Sequence, residues 1–199
     1  MTYKRKDAFY KKAKREGYRS RAAYKLLELN RAWRFLRAGN GVIDLGAWPG
    51  GWVQVAAKAV GPSGRVLGID LVKLEPLSLA NVTLVQGDAT DPDQQQALLA
   101  TLGRPADVVL SDMAPKLSGV READDARVAA LCQTALSCCD PLLKPSGNLF
   151  LKTFMSADYQ PFVTTLRSAF KTVKTSRPEA TRKGSAEVYV LASGKRKTV

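Results

Sequence analysis

Short apolar runs alternate with stretches of helical periodicity along most of the chain. The first apolar run, at 42–45, contains Asp44 and breaks into a Gly/Pro loop, and helix-forming residues resume at 53–60. This order predicts a strand, a tight turn and a helix. By the same patterns, further strands are predicted at 65–70, 82–86, 107–111, 147–152, 171–176 and 186–191, and helices at 20–36, 93–102, 125–143 and 157–170.

The alternation of these elements predicts an α/β fold. Strands that alternate with helices are typical of a Rossmann-like, doubly wound sheet that is mostly parallel and has helices on both faces. The segment 186–191 alternates apolar and polar residues, which is typical of an antiparallel strand near one sheet edge. With 199 residues, of which 45% are hydrophobic, the chain is long enough for one domain with a substantial core and too short for two large ones. We therefore expect a single domain over 1–199.

The predicted helix at 20–36 begins at Ser20, a residue type that caps helix N-termini. Its apolar residues recur at helical spacing, so we expect the helix to dock on the sheet. Lys25 shares a stripe with Ala22 and Leu29, near the apolar edge of this helix. The usual explanation for a lysine in that position is that it extends its ammonium group along the apolar surface to water.

Acidic residues stand at the ends of the first three predicted strands, namely Asp44, Asp70 and Asp88. The carboxyl ends of parallel strands bound the crevice in which such sheets bind ligands, and a Gly-rich first loop lets backbone approach a nucleotide-like ligand. An acid at the end of the second strand is where a ribose diol is bound, and Asp88 could accept a hydrogen bond from an exocyclic amino group. The glycine loop alone can be a simple turn, and each acid alone can be a turn residue. Their repetition at successive strand ends favours a nucleotide-like ligand.

The net charge of +13 is unevenly distributed. Residues 1–40 carry 13 Lys/Arg and 3 acids, residues 41–164 carry 9 and 13, and residues 165–199 carry 9 and 2. Basic ends around a mildly acidic middle are typical of a phosphate-binding footprint on a neutral fold. The basic residues of 1–19 are interleaved with Tyr and Phe, whose rings stack on bases. We therefore expect RNA as the partner and 1–40 as a basic RNA-binding extension; for 1–8, a solvated terminus is the other interpretation.

The chain contains no histidine, so proton transfer has to use Lys, Asp, Glu, Tyr or Cys. Its three cysteines, Cys132, Cys138 and Cys139, fall in one predicted helix without zinc-ligand or redox spacing, which predicts buried free thiols. No apolar run is long enough to span a bilayer, and no apolar signal-peptide region follows the basic N-terminus. We expect a cytoplasmic monomer with no membrane partner and no obligate protein partner.

A series of motifs, taken in order along the chain, resembles one family. The motifs are YRSRAAYKLLEL, DLGAWPGGW, the GID of Asp70, the QGD of Asp88, the SDMAP of Asp112, the LK of Lys152 and RKGSAEVYV around Glu187. They are similar to the FtsJ/RrmJ family of S-adenosylmethionine-dependent ribose 2′-O-methyltransferases. The resemblance covers nearly the whole chain.

This resemblance implies a Rossmann-like methyltransferase with S-adenosyl-L-methionine as its cofactor and no metal. It implies a uridine ribose of large-subunit ribosomal RNA as the substrate. It implies a catalytic tetrad of Lys25, Asp112, Lys152 and Glu187. It also implies cofactor contacts from Gly46, Gly50, Trp52, Asp70, Asp88 and Asp112.

Lys152 is the residue that we expect to accept the proton. A ribose hydroxyl is a poor nucleophile, so its proton has to leave during methyl attack, and without histidine a neutral lysine is a credible acceptor. A neighbouring Lys25 would disfavour the charged form of Lys152, whereas Asp112 and Glu187 would favour it. The sequence leaves the balance between these effects open.

Other functions are compatible with parts of the pattern. Methylation of transfer RNA or of a messenger RNA cap would use the same tetrad, and a catalytically inert ribosome-assembly factor would retain the fold and the basic ends. A dinucleotide-dependent oxidoreductase is poorly supported, because DLGAWPGG lacks the G-x-G-x-x-G spacing.

Two positions depart from the family pattern. Trp48 stands where the family usually has a small residue, and Lys116 stands where related bacterial enzymes usually have an uncharged polar residue. The Trp48 ring is expected either to lie over the cofactor loop and affect cofactor binding, or to fill a gap in the core behind the loop.

Overall fold

The computed structural model describes residues 8–115, 118–181 and 184–197. The helices are α1 (Ala8–Arg15), α2 (Ala22–Trp33), α3 (Gly51–Val60), α4 (Pro92–Leu102), α5 (Arg121–Leu142) and α6 (Tyr159–Ala169). The strands are β1 (Gly41–Leu45), β2 (Arg65–Asp70), β3 (Val82–Gln86), β4 (Ala106–Ser111), β5 (Leu143–Phe154), β6 (Phe170–Ser176) and β7 (Glu187–Lys195). Each strand and helix predicted from the sequence corresponds to one of these elements, and α1 is an additional helix.

The strands form one sheet in the order β3-β2-β1-β4-β5-β7-β6. Parallel pairing joins β3, β2, β1, β4 and β5, whereas β7 runs antiparallel between β5 and β6. This confirms the predicted doubly wound, mostly parallel sheet with an antiparallel strand near one edge. The strand order reverses between β1 and β4, and such a reversal opens a crevice at the carboxyl ends of the two strands, where these sheets bind ligands.

Helices cover both faces of the sheet, and β1 lies between two apolar clusters. All five of its residues are buried; Val42 packs in the cluster beneath α2 and α3, and Ile43 in the cluster beneath α4, α5 and α6. A parallel strand covered on both faces has no solvent side, so its residues do not need to alternate. On the α2 side, the ring of Phe150 packs against Trp52 and Tyr189, with centroids 5.2 and 5.9 Å away. Leu26 and Leu29 of α2 belong to the same cluster, so this helix docks on the sheet as predicted.

The start of α2 differs from the prediction that Ser20 caps it. The helix begins at Ala22, and the preceding Arg21 has helical dihedral angles (φ −68°, ψ −17°) without a side-chain capping hydrogen bond. A Ser20 cap would have to accept a hydrogen bond from the first turn through its hydroxyl. Here it is the Ser20 carbonyl that accepts a hydrogen bond, from the Ala23 N–H at 3.3 Å.

The end of α2 also comes earlier than position 36. Arg34 adopts a left-handed conformation (φ 53°) and donates its backbone N–H to the Asn30 carbonyl, which ends the helix at Trp33. Beyond this turn Leu36 is still buried, and its N–H donates to the Asn30 side chain (2.9 Å). Apolar spacing therefore continues through a turn, and this is why the pattern predicted too long a helix.

The observed ends of the other helices and strands differ from the predicted ones by a few residues. The largest difference is at β5, which was predicted at 147–152 and extends from Leu143 to Phe154. The cysteines confirm their prediction, because Cys132, Cys138 and Cys139 are buried free thiols in α5. None of the helices within the described part of the chain has the length and apolarity needed to cross a membrane.

Candidate active site

A cavity of about 610 Å³ opens at the carboxyl ends of β1 to β4. Residues that line it include Gly46 and Trp48 after β1, Asp70, Leu71 and Val72 at the end of β2, Asp88 after β3, and Asp112 after β4. A second cavity of about 20 Å³ shares Gly46, Trp48 and Asp112 with the first and reaches Ser20 and Asp44 beneath the loop. The strand-end acids predicted from the sequence therefore meet at one crevice.

Asp70 and Asp88 both hold turns and line the larger cavity. The Asp70 carboxylate accepts hydrogen bonds from the N–H groups of Trp48 (2.9 Å) and Val72 (2.8 Å), so it joins the loops after β1 and β2. Asp88 accepts from the N–H (2.8 Å) and the hydroxyl (2.7 Å) of Thr90, and the backbone bond in particular lowers the pKa of Asp88. Being a turn residue and facing the cavity are thus compatible at both positions.

The loop after β1 needs glycine at two positions with positive φ, Gly46 (+70°) and Gly50 (+107°). Gly46 lines both cavities, and a Cβ there would lie 2.5 Å from Met113 Cγ. Gly50 lines neither cavity; a Cβ there would approach the side chain of Arg19 to 3.2 Å. Gly50 therefore contributes to the site through the path of the loop.

Trp48, in the loop after β1, is exposed, whereas Trp52, at the start of α3, is buried. Trp52 is buried, donates its indole N–H to the Ala22 carbonyl (3.0 Å) and contributes to the wall of the small cavity. Trp48 is 58% exposed and lines both cavities, so the hypothesis that its ring fills a gap in the core is wrong. The other departure from the family pattern, Lys116, lies outside the described residues.

The four residues of the predicted tetrad come together as two ion pairs. Lys25 Nζ lies 2.5 Å from the Glu187 carboxylate, and Lys152 Nζ lies 2.7 Å from Asp112 Oδ1 and donates to the Asp112 main-chain carbonyl at 2.8 Å. The lysine side chains are 5% and 8% exposed. Lys25 therefore does not extend to water, which would be the usual explanation for a lysine at the edge of an apolar stripe. Burial lowers its pKa against the opposing effect of the Glu187 hydrogen bond.

The sheet register explains why these side chains share one face. Lys152 on β5 pairs with Tyr189 on β7, and Phe154 pairs with Glu187. Alternate residues of a strand point to the same face, so Lys152, Tyr189 and Glu187 all point toward α2, which carries Lys25. Asp112 reaches them from the end of β4. The fold thus brings Lys25 into hydrogen-bond contact with Glu187, which is 162 positions away in the sequence.

Asp44 is a site residue to which the sequence analysis assigned no role. It is 1% exposed, and among the described residues no group donates a hydrogen bond to either of its carboxylate oxygens. Burial, reinforced by the negative charges of Asp112 and Asp70, raises the pKa of Asp44 well above its usual range. The sequence feature that could have indicated a role for Asp44 is a carboxylate within an otherwise apolar strand. Because Asp44 lines the small cavity, its unpartnered oxygens fit a cationic group bound there.

The geometry can be compared with known proteins. A family model described as FtsJ-like methyltransferase matches residues 18–195. The chain belongs to this family. Ribosomal RNA large subunit methyltransferase E of Syntrophobacter fumaroxidans is 43% identical over the full length of both chains. The enzyme of the same name from Marinobacter nauticus is 44% identical over 94% of this chain and 90% of its own.

Solved structures agree with this assignment. A crystal structure described as a ribosomal RNA methyltransferase from Plasmodium falciparum superposes with a TM-score of 0.78 at 26% identity, covering 91% of this chain and all of the other. Aeropyrum pernix fibrillarin, solved with bound S-adenosyl-L-methionine, superposes with a TM-score of 0.59 over 88% of this chain and 75% of its own, and at 17% identity it shows the fold alone. Family membership confirms the predicted methyltransferase class and its cofactor, S-adenosylmethionine.

Proposed function

We propose that this methyltransferase acts on ribosomal RNA of the large subunit and methylates the ribose 2′-hydroxyl of a uridine. The observation that carries the proposal is the pair of buried ion pairs, Lys25–Glu187 and Lys152–Asp112, beside the cofactor crevice. The names of the relatives support the ribosomal RNA substrate. The ribose hydroxyl is supported by chemistry, because only a weak nucleophile needs a positioned proton acceptor of this kind.

Three acids divide the recognition of the cofactor among them. Asp44, buried and without a donor, suits the ammonium group of the methionine part. Asp70 suits the ribose hydroxyls, since a carboxylate has lone pairs left after accepting from two backbone N–H groups. Asp88, whose pKa is lowered, stays ionised and suits the amino group of the adenine.

Gly46, Gly50, Trp52 and Asp112 form the rest of the cofactor site. The two glycines set the path of the loop after β1, and the buried Trp52 anchors the start of α3 against α2. Asp112 lines both cavities and so lies between the cofactor site and Lys152. When bound, the cofactor supplies a methyl group activated by a sulfonium; the protein positions the two reactants and excludes water.

Lys152 is placed to accept the ribose proton. Its Nζ donates to the main-chain carbonyl of Asp112 and lies at ion-pair distance from Asp112 Oδ1. As the ammonium of the ion pair with Asp112, Lys152 has no lone pair, so it acts as a base only after it has released one proton. The neutral amine then has two N–H donors and one lone pair. With one donor directed to the Asp112 carbonyl, the lone pair is left for the proton of the hydroxyl. Asp112 thereby orients the base, and the Lys25–Glu187 pair provides a second polar contact for the ribose.

The basic RNA-binding surface is assigned to both ends of the chain. Helix α1 carries Lys11, Lys12, Lys14 and Arg15. Its Ala13 packs with Tyr24 of α2 and with Ala180, which lies between β6 and β7. The N–H of Glu179 donates to the Glu28 side chain (3.0 Å), which ties the same segment to α2. The two basic ends therefore lie side by side, on the side of the sheet that carries α2.

This assignment predicts a steep salt dependence. Deleting residues 2–15 should flatten the slope of log affinity against log salt concentration by several units, because each phosphate contact contributes about 0.7 to 0.9. Filter binding of unmodified large-subunit ribosomal RNA at several salt concentrations measures the slope. A truncated protein with the wild-type slope would show that α1 does not touch RNA.

The function itself is tested by mass-spectrometric mapping of modified nucleosides. Ribosomal, transfer and messenger RNA should be compared from cells with the protein, without it, and with Lys152→Ala in its place. We expect one 2′-O-methyluridine of large-subunit ribosomal RNA to disappear in the last two. A change confined to transfer RNA or to messenger RNA caps would replace the proposed substrate, and no change in any RNA would favour an inert assembly factor.

A further inference from the structure

Residues 17–20, which lie between α1 and α2, contact the loop after β1 and the start of α3. The guanidinium of Arg19 donates to the main-chain carbonyls of Pro49 (3.3 Å), Glu75 (2.6 Å) and Pro76 (2.5 Å). Its backbone is held as well, because Gln54 at the start of α3 accepts from the Arg19 N–H (2.8 Å). We call residues 17–20 the leader segment.

Arg19 joins the two loops that border the large cavity. Pro49 belongs to the loop after β1, next to Trp48, and Glu75 and Pro76 belong to the loop after β2, whose first residues line the cavity. A planar guanidinium can reach several carbonyls at once, whereas a lysine ammonium acts as a single point. Both terminal nitrogens of Arg19 are directed to main-chain carbonyls of the protein, which favours a role in holding the loops.

The glycines of the loop make this contact possible. A Cβ at Gly50 would lie 3.2 Å from two atoms of the Arg19 side chain. A Cβ at Gly51 would lie 3.2 Å from Ser20 Cβ and closer still to its hydroxyl. Gly50 lines neither cavity, so its lack of a side chain serves the approach of the leader segment.

We infer that Arg19 is a positioning residue that couples RNA binding to cofactor binding. The inference rests on the proposed function, in which α1 and the basic residues around it bind RNA. The leader segment is joined to α1, because the N–H groups of Gly17 and Tyr18 donate to the Lys14 and Ala13 carbonyls (3.4 and 2.8 Å). RNA bound to α1 therefore restrains the leader segment, and through Arg19 it holds both cofactor loops in their binding arrangement. Coupling of this kind is reciprocal, so the cofactor must strengthen RNA binding by the same factor, about tenfold for a typical coupling energy.

The test uses Arg19→Ala, with Arg19→Lys and Gln54→Ala as second variants. Gln54 holds both the Arg19 N–H and the Gly17 carbonyl, so its loss loosens the leader segment without touching the guanidinium. The matched control is Arg65→Ala, which also removes a guanidinium bonded to a main-chain carbonyl, that of Thr101 at the opposite end of the sheet. Calorimetry with S-adenosylhomocysteine gives cofactor-site affinity, and RNA affinity is measured with and without that compound.

We expect Arg19→Ala to weaken S-adenosylhomocysteine binding about tenfold in the absence of RNA and to abolish its effect on RNA affinity. Gln54→Ala should weaken the coupling, Arg19→Lys should restore part of it, and Arg65→Ala should leave it unchanged. Arg19→Ala with wild-type cofactor affinity and a flatter salt slope would overturn the inference and make Arg19 a phosphate contact. A lower melting temperature with intact coupling would also overturn it.

The two proposals fail in distinguishable ways. If the proposed RNA function is wrong, the wild-type protein itself shows no binding to large-subunit ribosomal RNA, while Arg19→Ala still weakens binding of S-adenosylhomocysteine. If the inference is wrong, the wild-type protein binds RNA and Arg19→Ala leaves the coupling intact.

Discussion

Two buried aspartates at opposite ends of the sheet have opposite surroundings. Asp107, near the start of β4, accepts from the Gly41 N–H (2.7 Å) and forms ion pairs with Arg104 (2.7 Å) and Lys144. Asp44, near the carboxyl end of β1, has no donor among the described residues although it is 1% exposed. The same residue type is thus fully partnered at one end and left without partners at the other.

The contrast appears in their acidities. Burial opposes ionisation of Asp107, but hydrogen bonds from Arg104, Lys144 and the Gly41 N–H outweigh it and lower its pKa to about 2. At Asp44 burial acts unopposed, with Asp112 and Asp70 adding to it, and raises the pKa. A buried carboxylate with partners stabilises the fold, whereas one without partners costs stability and is available to a ligand. The amino end of the sheet thus holds a carboxylate that stabilises the fold, and we expect the carboxyl end, where Asp44 lies, to be the part that binds ligand.

The largest effect that separates the two ends is expected at Lys152. Lys152→Ala should lower turnover by about two to four orders of magnitude, the usual contribution of a general base, while RNA and cofactor affinities persist. Lys152→Arg keeps the charge but cannot accept a proton at accessible pH. Single-turnover methylation with saturating RNA measures both. An arginine variant near the wild-type rate would mean that Lys152 only positions the ribose.

A change at Asp107 is expected to lower stability and to leave turnover unchanged, which is the opposite of the result expected at Lys152. A pKa lowered from 3.8 to about 2 corresponds to about 2 kcal/mol of stability at neutral pH. The unfolded state binds more protons between those values, so this stability is present above about pH 4 and is lost as the pH falls toward 2. Asp107→Asn should lose this stability. Its free energy of unfolding, measured with urea at several pH values, should therefore fall less steeply as the pH is lowered. Methyl transfer should be unchanged; a slower reaction would contradict the division between the two ends.

At Asp44, stability and binding are expected to change in opposite directions. Because the pKa of Asp44 is raised in the folded protein, the folded state holds a proton that the unfolded state has already lost. The stability of the cofactor-free protein therefore falls as the pH rises from about 4, the unfolded pKa, to the raised folded pKa. Asp44→Asn should remove this loss and stabilise the cofactor-free protein by about 1 to 3 kcal/mol at neutral pH. It should weaken S-adenosylmethionine binding by about ten- to a hundredfold, the value of a charged hydrogen bond.

Proton release gives a second measurement of Asp44. Calorimetric titrations of the cofactor in buffers with different ionisation enthalpies should show proton release by the wild type and less by Asp44→Asn. Equal affinity and equal proton release in the two proteins would place the ammonium group elsewhere.

The smallest effect is expected at Trp48. Its ring is 58% exposed at the edge of both cavities, so Trp48→Ala should change the melting temperature little. Loss of apolar contact should weaken cofactor binding several-fold and leave RNA binding unchanged. Quenching of tryptophan fluorescence by the cofactor should be present in the wild type and largely absent in the variant. Equal quenching in both would assign the signal to Trp52 or Trp33.

The sequence alone determined the order of elements, the class of fold and the positions of the strand-end acids. Apolar periodicity and turn residues are local properties, and a parallel sheet places the carboxyl ends of its strands together whatever the details of packing. The family resemblance added which residues to examine at those ends, including Lys152 and Glu187.

Only the tertiary structure decided which groups have partners. Lys25 looked like a surface lysine on its helix, but docking of α2 buries it against Glu187, far away in the chain. Asp44 and Asp107 cannot be told apart by local pattern, because the donors around a buried carboxylate come from other elements. In the same way, the sequence did not show that Arg19, 31 residues before Gly50, packs against that glycine. Contacts between distant segments depend on how elements pack, and neither periodicity nor residue type reports that packing.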